Sequence, residues 1–216
     1  MAKNHRNRIR SSRELARRAP FRTQYEKILI ICEGEKTEPN YFEEIRISKR
    51  LSTANIRIKD SSYGSDPLNV VNFAIAEFNK TQNWDRIYCV FDQDNHQGFL
   101  AAINKIAETS LKNMHEEKVI FEAIVSVPCF EIWLLLHHTY TSGQMTAKEV
   151  IKRLNSCMPY NKGTRGIYEK TSHKIEDAYK NVKKLNKEHQ IQGAIRTFNN
   201  PSTKVGNLVH YLLHLK

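Results

Sequence analysis

Residues 27–45 read KILIICEGEKTEPNYFEEI, and the fold turns on how this stretch is divided. Ile28 to Cys32 is a short, uninterrupted apolar run of branched residues, the pattern of a central parallel strand buried on both faces. The run then gives way to Glu33, Gly34, Glu35, Lys36, Thr37 and Glu38. Thr37-Glu38-Pro39 opens a helix, with Thr37 as expected N-cap and Pro39 in the first turn, and the helix continues through Tyr41, Phe42 and Ile45. Three carboxylates directly after a buried strand therefore call for either a structural or a chemical reason.

The same alternation recurs downstream. Ile56 to Lys59 reads as a strand, and Asp66-Pro67 caps a helix burying Val70, Val71, Ala74, Ile75 and Phe78. Arg86 to Phe91 is a third strand, followed by a helix from Gly98 to Leu111 with an apolar face of Leu100, Ile103, Ile106 and Ala107. Val119 to Val127 is a fourth strand ending at Pro128. This order predicts βαβ units and a parallel sheet of about four strands. Beyond Pro128 the pattern is helical, over 130–138, 147–157, 172–188 and 203–214, with a basic loop at 159–174 between the second and third. The division expected is a basic, flexible arm at 1–22, an α/β domain at 23–138 and a C-terminal helical extension at 139–216.

Composition narrows the functional classes. The net charge of +11 is unevenly spread: residues 1–22 hold eight Lys/Arg against Glu14 alone, residues 23–144 hold 12 against 17 acids, and residues 145–216 hold 14 against 5. Two basic ends around an acidic middle favour a polyanion, and nucleic acid is the natural one. No apolar run approaches the roughly 20 residues that span a bilayer, and the basic N-terminus lacks the apolar core of a secretion signal. The four cysteines show no C-x-x-C spacing and read as buried thiols in a reducing cytoplasm.

Ligands of open parallel sheets bind beyond the carboxyl ends of the strands. Two such ends carry acids here: Glu33 after the first strand, and Asp92 and Asp94 after the third. An acid after a strand is often only a cap and D-x-D is common in turns; their joint occurrence at two strand ends makes a magnesium site credible, since Mg²⁺ takes a few carboxylate oxygens with water and phosphate. Gly34 would let backbone or ligand approach closely. Lys36 and His96 are placed to meet phosphate. Glu35 is expected in solvent, and Glu38 favours its helix through the dipole. Tyr160, Lys162, Arg165, Tyr168 and Lys170 share the basic loop, a composition suited to gripping a flexible nucleotide. His137 and His138 read as cations closing a helix, and in NNPST either Ser202 or Thr203 caps the last helix, which packs inward through Val205, Leu208, Val209 and Leu212.

E-G-x-x-T after a buried strand, followed about sixty residues later by a strand ending in D-x-D, resembles the Toprim domain of topoisomerases, primases and OLD-type nucleases. With ICEGEKTEPNYF, VFDQDNH, PCFEIWLLLHH and NNPSTKVGNLV in that order, the chain is identified as resembling the RloB family over nearly its whole length. The resemblance implies a Toprim-like, Rossmannoid sheet and a Mg²⁺-dependent nuclease, with Mn²⁺ as substitute. It implies Glu33, Asp92 and Asp94 as metal ligands and an effector of bacterial anti-phage, abortive-infection defence working with an ATPase partner. Self-association is compatible with it. It also points to Glu131, either as a fourth catalytic acid or as one half of a buried salt bridge. Topoisomerase and primase activities are expected to fit less well, since each needs further modules for which this chain has no room. The alternative is a nucleic-acid-binding adaptor whose acids are structural.

Overall fold

The computed structural model describes residues 26–53, 55–60, 66–93, 98–191 and 199–215. The basic arm, Asp94 and His96 lie outside the described residues. In chain order the elements are β1 (Ile28–Cys32), α1 (Thr37–Ser48), β2 (Ile56–Asp60), α2 (Pro67–Thr81), β3 (Arg86–Asp92), α3 (Gly98–Glu108) and β4 (Ile120–Val127). They are followed by α4 (Glu131–Leu136), α5 (Ala147–Cys157), α6 (Ile167–Ser172), α7 (Ile175–Ile191), β5 (Ser202–Thr203) and α8 (Val205–His214).

The sheet order is β2-β1-β3-β4-β5. β1 pairs in parallel with β2 and β3, and β3 in parallel with β4, as the βαβ pattern requires. All five residues of β1 are fully buried. Alternate residues belong to different layers. Ile28, Ile30 and Cys32 join Tyr41, Phe42 and Ile45 of α1 with α4 and α8. Leu29 and Ile31 join Val70, Val71, Ala74 and Phe78 of α2, and Phe99, Ala102 and Ile106 of α3. A strand between two helical layers has no solvent face, which is why its sequence shows a run rather than alternation.

Asp66 caps α2 as expected, accepting the Leu68 N–H at 2.8 Å with Pro67 next to it. On α3, Ile106 is buried and Ile103 packs against the same core as expected, but Leu100 and Ala107 are exposed. Phe99, Ala102 and Ile106 face the sheet while Leu100 is 66% exposed. The aromatic ring wins the inward position by packing edge-on against Phe91, with centroids 5.9 Å apart.

The C-terminal part departs from expectation in three places. Ser202 and Thr203 form an antiparallel edge strand on Val127 and Ser126, and the Thr203 hydroxyl accepts the Val205 N–H that opens α8 at 3.1 Å. The loop at 159–174 contains α6, and Tyr160 and Tyr168 are buried rather than exposed for stacking on a nucleotide. Cys32, Cys89 and Cys129 are buried as read, but Cys157 is exposed. Val205, Leu208, Val209 and Leu212 all pack inward.

Trp133 of α4 anchors this part. It is fully buried and donates its indole N–H to the Tyr41 hydroxyl of α1 at 2.8 Å. Its ring also meets Tyr179 of α7 and, edge-on at 4.6 Å, His137.

His137 corrects a further expectation. Its Nδ1 donates to the Trp133 carbonyl at 2.9 Å, the ring is 2% exposed, and burial holds its pKa down at about 4. His138 is also lowered, by burial and then by Lys174. Neither is a cation at the helix end, because desolvation of a charged imidazole outweighs the dipole. A depressed folded-state pKa gives stability that is complete above the ordinary value of 6.5 and lost as pH falls toward 4. At about 1.4 kcal/mol per unit the loss is on the order of 3 kcal/mol. Urea unfolding of wild type and His137→Phe across this window should show that component in wild type and not in the variant.

Candidate active site

Strand order reverses between β1 and β3, since β2 lies on one side of β1 and β4 on the other side of β3. This switch point opens a crevice at the carboxyl ends of the two strands. The Glu33 N–H bonds to the Val90 carbonyl at 2.9 Å, extending β1 by one residue. Its Oε2 accepts the Asp92 N–H at 3.0 Å, so the acids from the two strand tips are joined directly. Asp92 is level with Ser126 of β4, and the Phe130 backbone at the head of α4 partly offsets the rise in its pKa. Glu131, the first residue of α4, is 2% exposed and accepts from the Tyr160 hydroxyl at 2.7 Å. Among the described residues, that phenol, and no lysine or arginine, is hydrogen-bonded to its carboxylate.

Glu38 is the residue the sequence reading missed. It was assigned to the helix dipole, yet it is 7% exposed and its carboxylate folds back over Gly34. A Cβ on Gly34 would lie 2.0 Å from Glu38 Oε2. The glycine thus makes room for a carboxylate of the protein itself, and the signal was its position four residues ahead of an acid in the first turn. Thr37 is not the N-cap either. Lys36 holds that position, and the Thr37 hydroxyl instead accepts the Gly163 N–H at 3.0 Å. Glu35 is exposed, as expected.

The electrostatics follow from this crowding. Burial, then the charges of Glu38, Glu131 and Glu33, raise Asp92 well above the usual carboxylate range. Glu38 is raised by burial and by Glu131, with Lys162 pulling the other way. The Cys129 thiol beside them is pushed up by burial and by Glu131 and Asp92. Glu77, the buried acid of α2, is the contrast. Burial raises it too, but Lys59 at 2.5 Å and Lys80 more than offset that, so its pKa is lowered. Among the described residues, two ammonium groups pair with this structural acid and none with Asp92.

A strap over residues 159–166 closes one side of the crevice. Gly163, at φ +77°, lies against the Lys36 stem and its carbonyl accepts from Asn40 at 3.3 Å. Glu44, one turn further along α1, accepts the Gly166 and Tyr168 amides at 2.5 and 2.8 Å. The strap thereby brings Lys162 toward Glu38. Lys36, Lys162, Arg165 and Lys170 are all exposed, and Arg165 and Lys170 form no ion pair among the described residues.

The donor set consists of carboxylate oxygens, the chemistry that suits Mg²⁺ or Mn²⁺, and the mutual repulsion at Asp92 is what a cation would relieve. Glu33, Glu38, Asp92 and Glu131 are the described residues whose oxygens have the chemistry such an ion takes. Among the described residues, however, no three acidic, histidine or cysteine side chains converge closely enough to hold one. Asp94, two residues past Asp92, is not part of that comparison.

Fold and site together define an α/β protein with a parallel sheet and an acidic crevice at its topological switch point. The sequence model of the RloB-like protein family matches residues 28–212, and the chain belongs to that family. No curated protein and no solved structure gave a significant match. Among the described residues, no helix is long and apolar enough to cross a membrane.

A carboxyl raised in the folded state costs stability above its ordinary pKa of 4.5 and nothing below it. In EDTA, Glu38→Gln should therefore raise the melting temperature at pH 7.5, and the gain should fade as pH falls to 4.5. Scanning calorimetry at both pH values checks the sign.

Proposed function

We propose that this protein is a Mg²⁺-dependent nuclease acting on nucleic-acid phosphodiesters. The observation that carries the reading is Asp92, half-buried with Glu33, Glu38 and Glu131 around it and paired with no lysine among the described residues, where Glu77 receives two. An acid cluster left with such repulsion is a perturbed site of the kind that serves chemistry. Glu33, Asp92 and Asp94 are the proposed metal ligands, with Glu38 and Glu131 completing the acidic wall. A bound divalent ion would activate water and stabilise charge on the phosphate. Glu33 is alternatively a general acid or base. Lys36 and Lys162 meet phosphate at the rim, His96 is a further phosphate contact proposed from the sequence, and Arg165 and Lys170 extend the basic surface along the strap and α6. The resemblance to Toprim domains of OLD-type nucleases supports the same assignment.

RloB-family resemblance further suggests the effector of a cytoplasmic anti-phage system of the abortive-infection kind, controlled by an ATPase partner, with self-association allowed. The second reading, a nucleic-acid-binding adaptor, draws on the described acids' failure to converge on one point. It predicts binding that weakens steeply with salt and is indifferent to Mg²⁺.

Incubation with DNA, tRNA and mRNA in Mg²⁺, Mn²⁺ or EDTA, with and without a candidate ATPase, separates the two. Cleavage should require the metal, be weak without the partner, and fall by at least about a hundredfold in Asp92→Ala. Unchanged cleavage in that variant would sink the assignment.

A further inference from the structure

Tyr160 comes from the C-terminal helical region, yet its hydroxyl enters the acid cluster. The ring is 3% exposed, its backbone N–H is held by Asn155 of α5 at 3.1 Å, and its O–H donates to Glu131 Oε1 at 2.7 Å. Two hydrogen bonds fix its surroundings. The strap amide of Gly163 donates to the Thr37 hydroxyl at 3.0 Å, which pins the strap to the start of α1. The phenol's one proton is committed to Glu131, which fixes its rotation.

We propose that Tyr160 is a positioning residue for Glu131, and that the 159–166 strap, clamped to α1 at Thr37, Asn40 and Glu44, orients that carboxylate toward Asp92. The inference rests on the acid crevice binding a divalent cation. It gives the threonine of E-G-x-x-T a purpose: Thr37 pins the strap that carries the tyrosine. It also makes the donor set depend on the C-terminal helices, because α5 and α6 hold the two ends of the strap. A partner that shifted those helices would loosen Glu131 without touching the sheet.

The test is Mn²⁺ binding by the full chain, measured by titration calorimetry, with melting temperature recorded for every variant. Tyr160→Phe keeps the buried ring and removes only the hydroxyl. Loss of an orienting partner of a metal ligand typically costs tenfold or more, so about a tenfold weaker affinity is expected. Tyr168→Phe, an equally buried tyrosine of α6, should bind as wild type. In a Glu131→Gln background Tyr160→Phe should add nothing further, because the tyrosine acts through that carboxylate. Wild-type affinity in Tyr160→Phe, or an additive loss in the double variant, overturns the proposal. Should Tyr160→Phe not fold, Thr37→Val releases the strap at Gly163 and should weaken binding in the same direction; unchanged affinity there overturns it too. Wild-type protein that takes up no Mn²⁺ removes the metal site and this inference together. Wild-type binding that Asp92→Ala abolishes and Tyr160→Phe leaves intact removes this inference alone.

Discussion

The structure depends on β1 being buried on both faces. A strand enclosed by helical layers can carry polar groups only at its ends, where backbone and side chains leave the apolar layers. β3 lies beside it in register, so Asp92 emerges at the same edge as Glu33. Glu33 and Asp92 meet because two adjacent strands have run out of apolar surroundings at the same level. The Asp92 N–H bonded to Glu33 shows how short the remaining distance is. The reversal of strand order between β1 and β3 keeps crossover helices from covering that point.

Confinement also produces the site's electrostatics. Each acid has a local reason for its place: Glu33 continues a strand, Asp92 ends one, Glu131 begins α4, and Glu38 fills the space over Gly34. Together they repel one another in a poorly solvated crevice, and Asp92 bears most of that repulsion. Glu77 shows that this chain can neutralise a buried acid with lysines. At the crevice it uses neutral donors instead, the Tyr160 phenol and backbone amides, and keeps its cations at the rim. Neutral donors fix the direction of a carboxylate while leaving its charge available to a cation.

The C-terminal helices take part in the site through two contacts with α1. Trp133 bonds Tyr41 deep in the core, while the strap bonds Thr37, Asn40 and Glu44 along the helix surface. These three residues recur at about one helical turn, which makes a stripe on one face of α1. One end of α1 thus belongs to the crevice and its length carries the element that closes it.

Much of this was legible in the sequence. The run Ile28–Cys32, the alternation that follows and the cap at Asp66 specify a parallel sheet from local pattern, since burial on both faces and helix starts each leave their own signature in composition. Glu33 and Asp92 could be placed at one edge because strand ends in a parallel sheet share a side. Glu38, Tyr160 and Thr37 could not be assigned. Tyr160 lies 29 residues beyond Glu131 in the chain, and whether a tyrosine in a basic loop faces a nucleotide or a buried carboxylate is set by where that loop docks. His137 was misread because its charge depends on solvent exclusion by helices distant in sequence, and Leu100 because an aromatic neighbour fitted the sheet better. The sequence by itself determined the sheet, its direction and the edge at which acids gather, as these follow from periodicity over a few residues. Only the tertiary structure decided which acids face each other, which are paired and which hydroxyl aims them, because desolvation and hydrogen-bond direction arise from groups brought together across the whole chain.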